Sequence, residues 1–181
     1  MSMSHLIKLA ALVAAFYFGY QHWFAPYPLQ TYRLASVPVS LELLPDPKVL
    51  HKQNTQVEFE SLNTQKNSDD KLTMFVMTFK SSMEHFEAED LEFLPYDLDK
   101  YTAMAGPEVA SILEEMILSK GYINTNGMRG YEVEMRLPTD DLRMLQHIYI
   151  IDDHLLLLMA SYHTSREEKT ARNFLDSVQR L

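Results

Sequence analysis

The strongest constraint on this chain is an uncharged, apolar stretch close to its N-terminus. No Asp, Glu, Lys or Arg occurs between Leu9 and Tyr32, and residues 6–25 supply the roughly twenty residues that a helix needs to cross the hydrocarbon layer. Pro26 and Pro28 would end such a helix. The sequence therefore predicts a transmembrane anchor, in contact with membrane lipid, within residues 1–27. Its candidate anchor residues are Leu9, Leu12, Val13, Phe16, Phe18, Tyr20, Trp23 and Phe24.

Two other interpretations of this stretch stay open. A cleaved signal peptide needs small residues before its cleavage site, and Val13 and Ala15 meet that need. Alternatively, the helix lies in the membrane interface or is buried in the protein. For an uncleaved anchor, Lys8 and the terminal amine favour an N-in, C-out orientation. We then expect a single-pass protein of the inner (cytoplasmic) membrane, with its C-terminal domain facing the periplasm or another extracytoplasmic compartment.

Composition limits the partners and the chemistry that suit the rest of the chain. Among 181 residues, 25 Asp and Glu outnumber 16 Lys and Arg, which gives a net charge of −9. Because this field repels phosphate backbones, we expect no nucleic acid partner. The absence of Cys excludes disulfides, thiolate metal sites and Cys nucleophiles.

The remaining chain divides into a linker over residues 28–36 and an α/β globular domain over residues 37–181. Alternating apolar residues predict a strand at 39–43 and further strands at 131–137, 142–151 and 155–162, with turns at 138–141 and 152–154. Residues 56–62 and 72–80 flank a polar stretch and predict a hairpin.

Two longer helices complete the predicted domain. The first begins at Pro107 and ends before Gly121, a shorter helical piece precedes it at 98–104, and the last begins near Thr164 or Ser165. Ser165 and Glu168 have the spacing of a capping box. The predicted buried stripe of the central helix is Val109, Ile112, Leu113, Met116 and Ile117, and that of the last helix is Ala171, Phe174, Leu175, Val178 and Leu181. This order predicts an α+β fold, an antiparallel sheet with helices packed on both faces.

Several local patterns resemble the PsbP/Mog1-like superfamily, which includes small membrane-anchored or secreted bacterial proteins. They are the central helix ending at Gly121, the strand start at Gly130, Tyr131 and Glu132, the strand pair around Asp152 to His154, and the terminal Asn173-Phe174-Leu175-Asp176-Ser177. The resemblance covers residues 37–181 and implies an α/β/α sandwich. It also implies a non-catalytic role, because members mostly act as assembly factors, accessory subunits or binding modules.

The candidate chemistry is sparse. His85, Glu87, Glu89 and Asp90 could hold a divalent cation, but their spacing matches no defined metal-binding loop, so a solvated acidic segment is the favoured interpretation. Asp152, Asp153 and His154 are best explained by a tight turn, and His147 by a partly buried strand position. We therefore predict no catalytic residues and no cofactor.

These observations favour a membrane-anchored interaction or assembly module with a protein partner, for example an accessory subunit of a membrane complex. The alternative is a protein that binds a small ligand or a divalent cation. A hydrolase comes third, because it would need His147, His154 or His163 to converge with a carboxylate and a nucleophile in one cleft.

Overall fold

The computed structural model describes residues 25–54, 56–66, 72–82, 86–87, 91, 107–137 and 142–181, with only the backbone of 107–110 and 113. The predicted anchor residues, the helical piece at 98–104 and the turn at 138–141 lie outside these ranges. Within them, every helix is too short or too polar to cross a bilayer.

The described chain forms ten strands and two helices of three turns or so. They are β1 Gln30–Arg33, β2 Val39–Leu43, β3 Lys48–Gln53, β4 Val57–Gln65, β5 Thr73–Ser81, α1 Pro107–Met116, β6 Ile117–Thr125, β7 Met128–Arg136, β8 Arg143–Ile151, β9 His154–Tyr162, α2 Ser165–Asp176 and β10 Gln179–Arg180. The predicted β4–β5 hairpin and the strands β2, β7, β8 and β9 are confirmed.

Seven strands form one antiparallel sheet in the order β3-β4-β5-β9-β8-β7-β6, and β1, β2 and β10 form a small second sheet. The domain is thus a mostly antiparallel sheet with a few helices, which is compatible with a PsbP-like fold. Within the described chain, β3 and β6 are the two edges of the large sheet.

The main core lies between one face of the large sheet and the layer made by α2 and the small sheet. Alternate residues of β9, Leu156, Leu158 and Ala160, point into this core, as a period of two requires. From the other layer come Leu41, Leu43 and Phe174, all fully buried. We call this side of the large sheet the core face and the other side the outer face.

The outer face carries a smaller apolar cluster. Leu91, Tyr131 and Val133 are buried there, and Met135, Ile148 and Ile150 pack against them with partial exposure. The outer-facing leucines of β9 are likewise half-buried. This face is therefore partly covered over its length.

The prediction for the central helix was wrong at its C-terminal end. α1 begins at Pro107 as expected but ends at Met116, and the chain continues directly into β6, so Gly121 lies inside a strand. Ile112, assigned to the buried stripe, is 55% exposed. Pairing with β7 decides the conformation of residues 117–125, and this long-range interaction overrides the local helical spacing.

The prediction for the last helix was correct for four of the five residues of its buried stripe and wrong for Leu181 and for its cap. Ala171, Phe174, Leu175 and Val178 are fully buried. The capping box joins Thr164 and Glu167 instead of Ser165 and Glu168, because Thr164 is the residue with extended backbone before the first turn. Leu181 is 62% exposed, since the chain leaves the helix after Asp176 and β10 pairs with β2.

The N-terminal end of the described chain is attached to α2. The Tyr27 amide donates to Thr170 Oγ1 at 2.9 Å, and Arg166 Nε donates to the carbonyl of Ala25 at 2.6 Å. The guanidinium of Arg166 and the ammonium of Lys66 both lie over the Tyr27 ring. Residues 28–36, predicted as a linker, include β1 and the buried Leu34, so this segment packs with the domain.

Candidate functional site

The residues of the predicted acidic segment are only partly described. Glu87 is exposed, whereas His85, Glu89 and Asp90 lie outside the described residues. In the part of the chain that is described, no group of three or more His, Cys, Asp and Glu side chains is placed to hold a metal ion.

The turn predicted at Asp152 and Asp153 is confirmed. Both residues have positive φ, 48° and 63°, the left-handed backbone that a tight hairpin between β8 and β9 requires. Asp152 pairs with Arg180 and Asp153 with Lys80. His154 Nδ1 lies 2.9 Å from the carbonyl oxygen of Asp152, so the imidazole braces the turn.

His147 is fully buried, deeper than predicted, in a line of polar side chains on the core face. Its Nε2 lies 2.9 Å from Glu132 Oε2 and its Nδ1 lies 3.0 Å from the Tyr149 hydroxyl. Burial, aided by the charges of Asp176 and Glu132, raises the pKa of Tyr149 to about 12, although a hydrogen bond with Thr125 opposes the shift. The phenol therefore keeps its proton, and the hydrogen bonds of His147 with Tyr149 and Glu132 link β8 to β7.

The three histidines considered for hydrolysis do not converge. His154 begins β9 and His163 follows its last residue, so about 30 Å of strand separates them. His147 lies mid-strand on β8, opposite Leu158.

A small polar pocket lies at the distal end of the β3–β4 hairpin. Its volume is about 120 Å³, and its lining consists of Gln53, Asn54, Gln56, Val57, Glu58, Lys80 and Ser82. Glu58 and Lys80 face each other across β4 and β5, so the pocket holds both signs of charge.

The most exposed strand of the large sheet is β3, at one of its edges. All six of its side chains are exposed, including Val49 at 62% and Leu50 at 47%. Within the described chain, β3 pairs with β4 alone, so its second edge is open. Such an edge presents unpaired N–H and C=O groups to any extended chain that approaches it.

The register of β3 with β4 shows which backbone amides of β3 point to its open edge. The Asn54 amide donates to the carbonyl of Val57, and bonded and non-bonded pairs alternate along an antiparallel ladder. The amides of Lys48, Leu50 and Lys52 therefore point to β4. Those of Val49, His51 and Gln53 point to the open edge.

Sequence reasoning missed this strand. Residues 26–56 carry Pro38, Pro45 and Pro47 and little alternation, so they were interpreted as irregular chain leading into a strand. An edge strand exposed on both faces needs no apolar alternation, which explains the weak signal. The available clue was the pair Val49-Leu50 between lysines, directly after two prolines.

Comparisons with known proteins concern the fold. No protein-family model matches the sequence, and no curated protein matches it. A solved structure of cyanobacterial PsbP, CyanoP from Synechocystis sp. PCC 6803, is 14% identical with a TM-score of 0.49, and the match covers 84% of this chain and 92% of that one. A Pseudomonas aeruginosa protein of unknown function, PA94, is 12% identical with a TM-score of 0.42, over 83% of this chain and 96% of that one.

At these identities and TM-scores, neither structure indicates what this chain binds or does.

Proposed function

We propose that this protein is a membrane-anchored, extracytoplasmic and non-catalytic interaction module that binds a protein partner by strand addition to β3. The observation that carries the proposal is the open, fully exposed edge strand β3 with its two exposed apolar side chains. An assembly factor or an accessory subunit of a membrane complex would use such a surface.

Strand addition fits the geometry of β3. A partner strand would bond to the outward amides of Val49, His51 and Gln53, and backbone bonds of this kind provide affinity in known strand-addition complexes. Natural sheets normally shorten, bulge or cover an edge that carries apolar side chains. β3 has no irregularity in its register with β4, which keeps its edge straight enough to accept another strand.

The membrane anchor and the full sandwich are parts of the same proposal. Residues 6–25 would cross the membrane, and the attachment of Ala25 and Tyr27 to α2 would then hold the domain close to the end of the anchor. The buried Leu91 and the half-buried outer face support a second helical layer, which would complete the α/β/α arrangement.

The test is affinity purification from detergent-solubilised membranes. The natural full chain is compared with two variants at Val49. Val49→Pro removes an outward amide and leaves the bonds to β4 in place, whereas the control Val49→Thr keeps that amide. We expect the same partner with the natural chain and the control, and its loss with the proline variant. Recovery of the chain alone, or of the partner with Val49→Pro, would contradict the proposal.

The membrane anchor is tested by a separate experiment. Carbonate washing of membranes should leave the full chain in the pellet, and its release into the supernatant would contradict an integral anchor.

A second candidate function is binding of a small polar ligand in the pocket beside β3. Glu58 and Lys80 bring opposite charges to the pocket, and a ligand carboxylate would share Lys80 with Asp153, so a zwitterion such as a free amino acid is the matching class. Calorimetry with glycine, glutamate and lysine should show saturable heat that Lys80→Gln weakens. Heat equal to dilution with all three ligands would remove this candidate.

A further inference from the structure

The two sides of β3 differ in charge. On the outer face, Lys48, Leu50 and Lys52 lie beside Asn63, Ser61 and Phe59 of β4, none of which carries a charge. On the core face, His51 lies beside Glu60 and Gln53 lies beside Glu58. The lysines therefore lie on the side of the hairpin that has no carboxylate of its own.

Lys48 and Lys52 are exposed and make no ion pair with any described residue. Elsewhere in the described chain, Lys80, Arg143, Arg172 and Arg180 each contact a carboxylate. Two positive charges, about 13 Å apart along one side of the strand, are thus open to a partner.

We propose that the partner of β3 is an extended segment in which two acidic residues flank an apolar residue at alternate positions. Residues directly opposite each other in neighbouring strands share a face, so the carboxylates would lie opposite Lys48 and Lys52, with the apolar side chain opposite Leu50. The pattern, acidic-x-apolar-x-acidic, reads the same in both directions. It therefore serves a parallel or an antiparallel partner strand. This inference rests on the proposed function and specifies the chemistry of the partner.

The same charges argue against self-association through this edge. Pairing two copies of β3 would bring four lysines together on one pair of strands, where like charges repel. Lysines on an open edge are a common protection against such pairing. That role is compatible with selecting an acidic strand, because the charges that repel a second β3 attract carboxylates.

The experiment measures peptide binding to the full chain in detergent micelles by fluorescence anisotropy. One labelled peptide is Thr-Glu-Thr-Val-Thr-Glu-Thr, and its matched control has both glutamates replaced by lysine. The protein is compared with the double variant Lys48→Glu, Lys52→Glu, and zero-length carbodiimide crosslinking followed by mass spectrometry locates the bound glutamates.

We expect the natural chain to bind the glutamate peptide roughly tenfold more tightly than the lysine peptide at low salt, and the double variant to reverse this preference. Raising the salt concentration should reduce the preference. Crosslinks should form at Lys48 and Lys52.

The remaining outcomes separate the inference from the proposed function. Equal binding of both peptides, abolished by Val49→Pro, would keep strand addition and overturn the acidic partner. No binding of either peptide, with a partner still lost on Val49→Pro in membranes, would also overturn the acidic pattern alone. Concentration-dependent dimers linked through β3 would identify a second copy as the occupant and contradict the inference.

Discussion

The two edges of the large sheet are built differently. β6 is bulged between Ile117 and Ser119, its Tyr122 ring packs edge-on against Tyr131 at 5.3 Å, and Ile123 reaches the main core. β3 has a regular register and no side chain in the core. A bulge and core packing make an edge a poorer template for another strand, which is why the proposal assigns the partner to β3 and not to β6.

The hairpin that holds β6 is also tied to the rest of the domain. Asn126 has a φ of 52° in a tight Asn-Gly turn. Its side-chain amide, Nδ2, donates to the carbonyls of Asp176 and Val178 at 3.0 and 2.8 Å. At the β3–β4 hairpin, Asn54 bonds only within its own turn, to the amides of Gln56 and Val57. Four predictions test this contrast.

The largest expected effect comes from Gly130 on β7, beside β6. An added Cβ would lie 2.5 Å from Tyr149 Cε1 and 2.9 Å from the Ile148 carbonyl oxygen, and the Tyr149 ring is fully buried. Gly130→Ala should lower the free energy of unfolding by about 3 kcal/mol, measured by urea denaturation. The control Gly121→Ala meets no atom within 4 Å and should leave stability unchanged or slightly higher. Equal losses for both variants would contradict the packing argument.

The second effect is a loss of stability at alkaline pH. Burial raises the pKa of Tyr149 and of Tyr162 to about 12, above the usual value of about 10 in an unfolded chain. The unfolded state therefore loses these protons first, so the stabilisation is complete below pH 10 and is lost as the pH rises towards 12. The free energy of unfolding should fall by on the order of 1 kcal/mol per phenol up to about pH 11.

Urea denaturation between pH 9 and 11.5, about the range that these pKa values set, measures this slope. Tyr149→Phe should reduce the slope of the free energy of unfolding against pH. The control is the double variant Lys48→Gln, Lys52→Gln on β3, which should leave this slope unchanged because neither β3 nor β4 contains a tyrosine. An unchanged slope in Tyr149→Phe would contradict the assignment.

The third prediction compares the two hairpin asparagines. Asn126→Gly keeps the left-handed backbone and removes two bonds to the end of α2, so we expect a loss of about 1–2 kcal/mol in thermal or urea unfolding. Asn54→Gly removes bonds at an exposed turn and should cost under about 0.5 kcal/mol. The reverse order would show that the β3 hairpin is the more firmly held one.

The smallest effect on stability belongs to β3 itself. Leu50→Thr should change the free energy of unfolding by less than about 0.5 kcal/mol, because the side chain is already half in solvent. Ile123→Thr on β6 should cost about 1–2 kcal/mol, because its side chain packs against the core. In partner purification the order should invert, with Leu50→Thr the more damaging variant. A large stability loss for Leu50→Thr would mean that β3 is structurally essential and not a free surface.

Much of the sheet was predictable because local patterns identified its central strands. The alternation in β8 and β9 and the paired aspartates between them were sufficient for a hairpin. The strand β6 was missed although Asn126-Gly127 is a strong hairpin signal, because the apolar spacing from Val109 to Ile117 continued a helix past its real end. The candidate site was not predicted, since β3 lacks any apolar alternation.

The sequence by itself determined the class of fold. Period-two strands, the buried stripe of α2 and the turn residues Asp152 and Asp153 are local properties, and each specifies its own element. Tertiary structure alone decided which strands became edges. In the described part of the chain, β3 is an edge because β4 pairs on its other side with β5. The edge strand β6 is anchored near its end, where Asn126 bonds to the end of α2. An edge is a property of the finished order of strands, to which residues far apart in the chain contribute, so no local pattern encodes it.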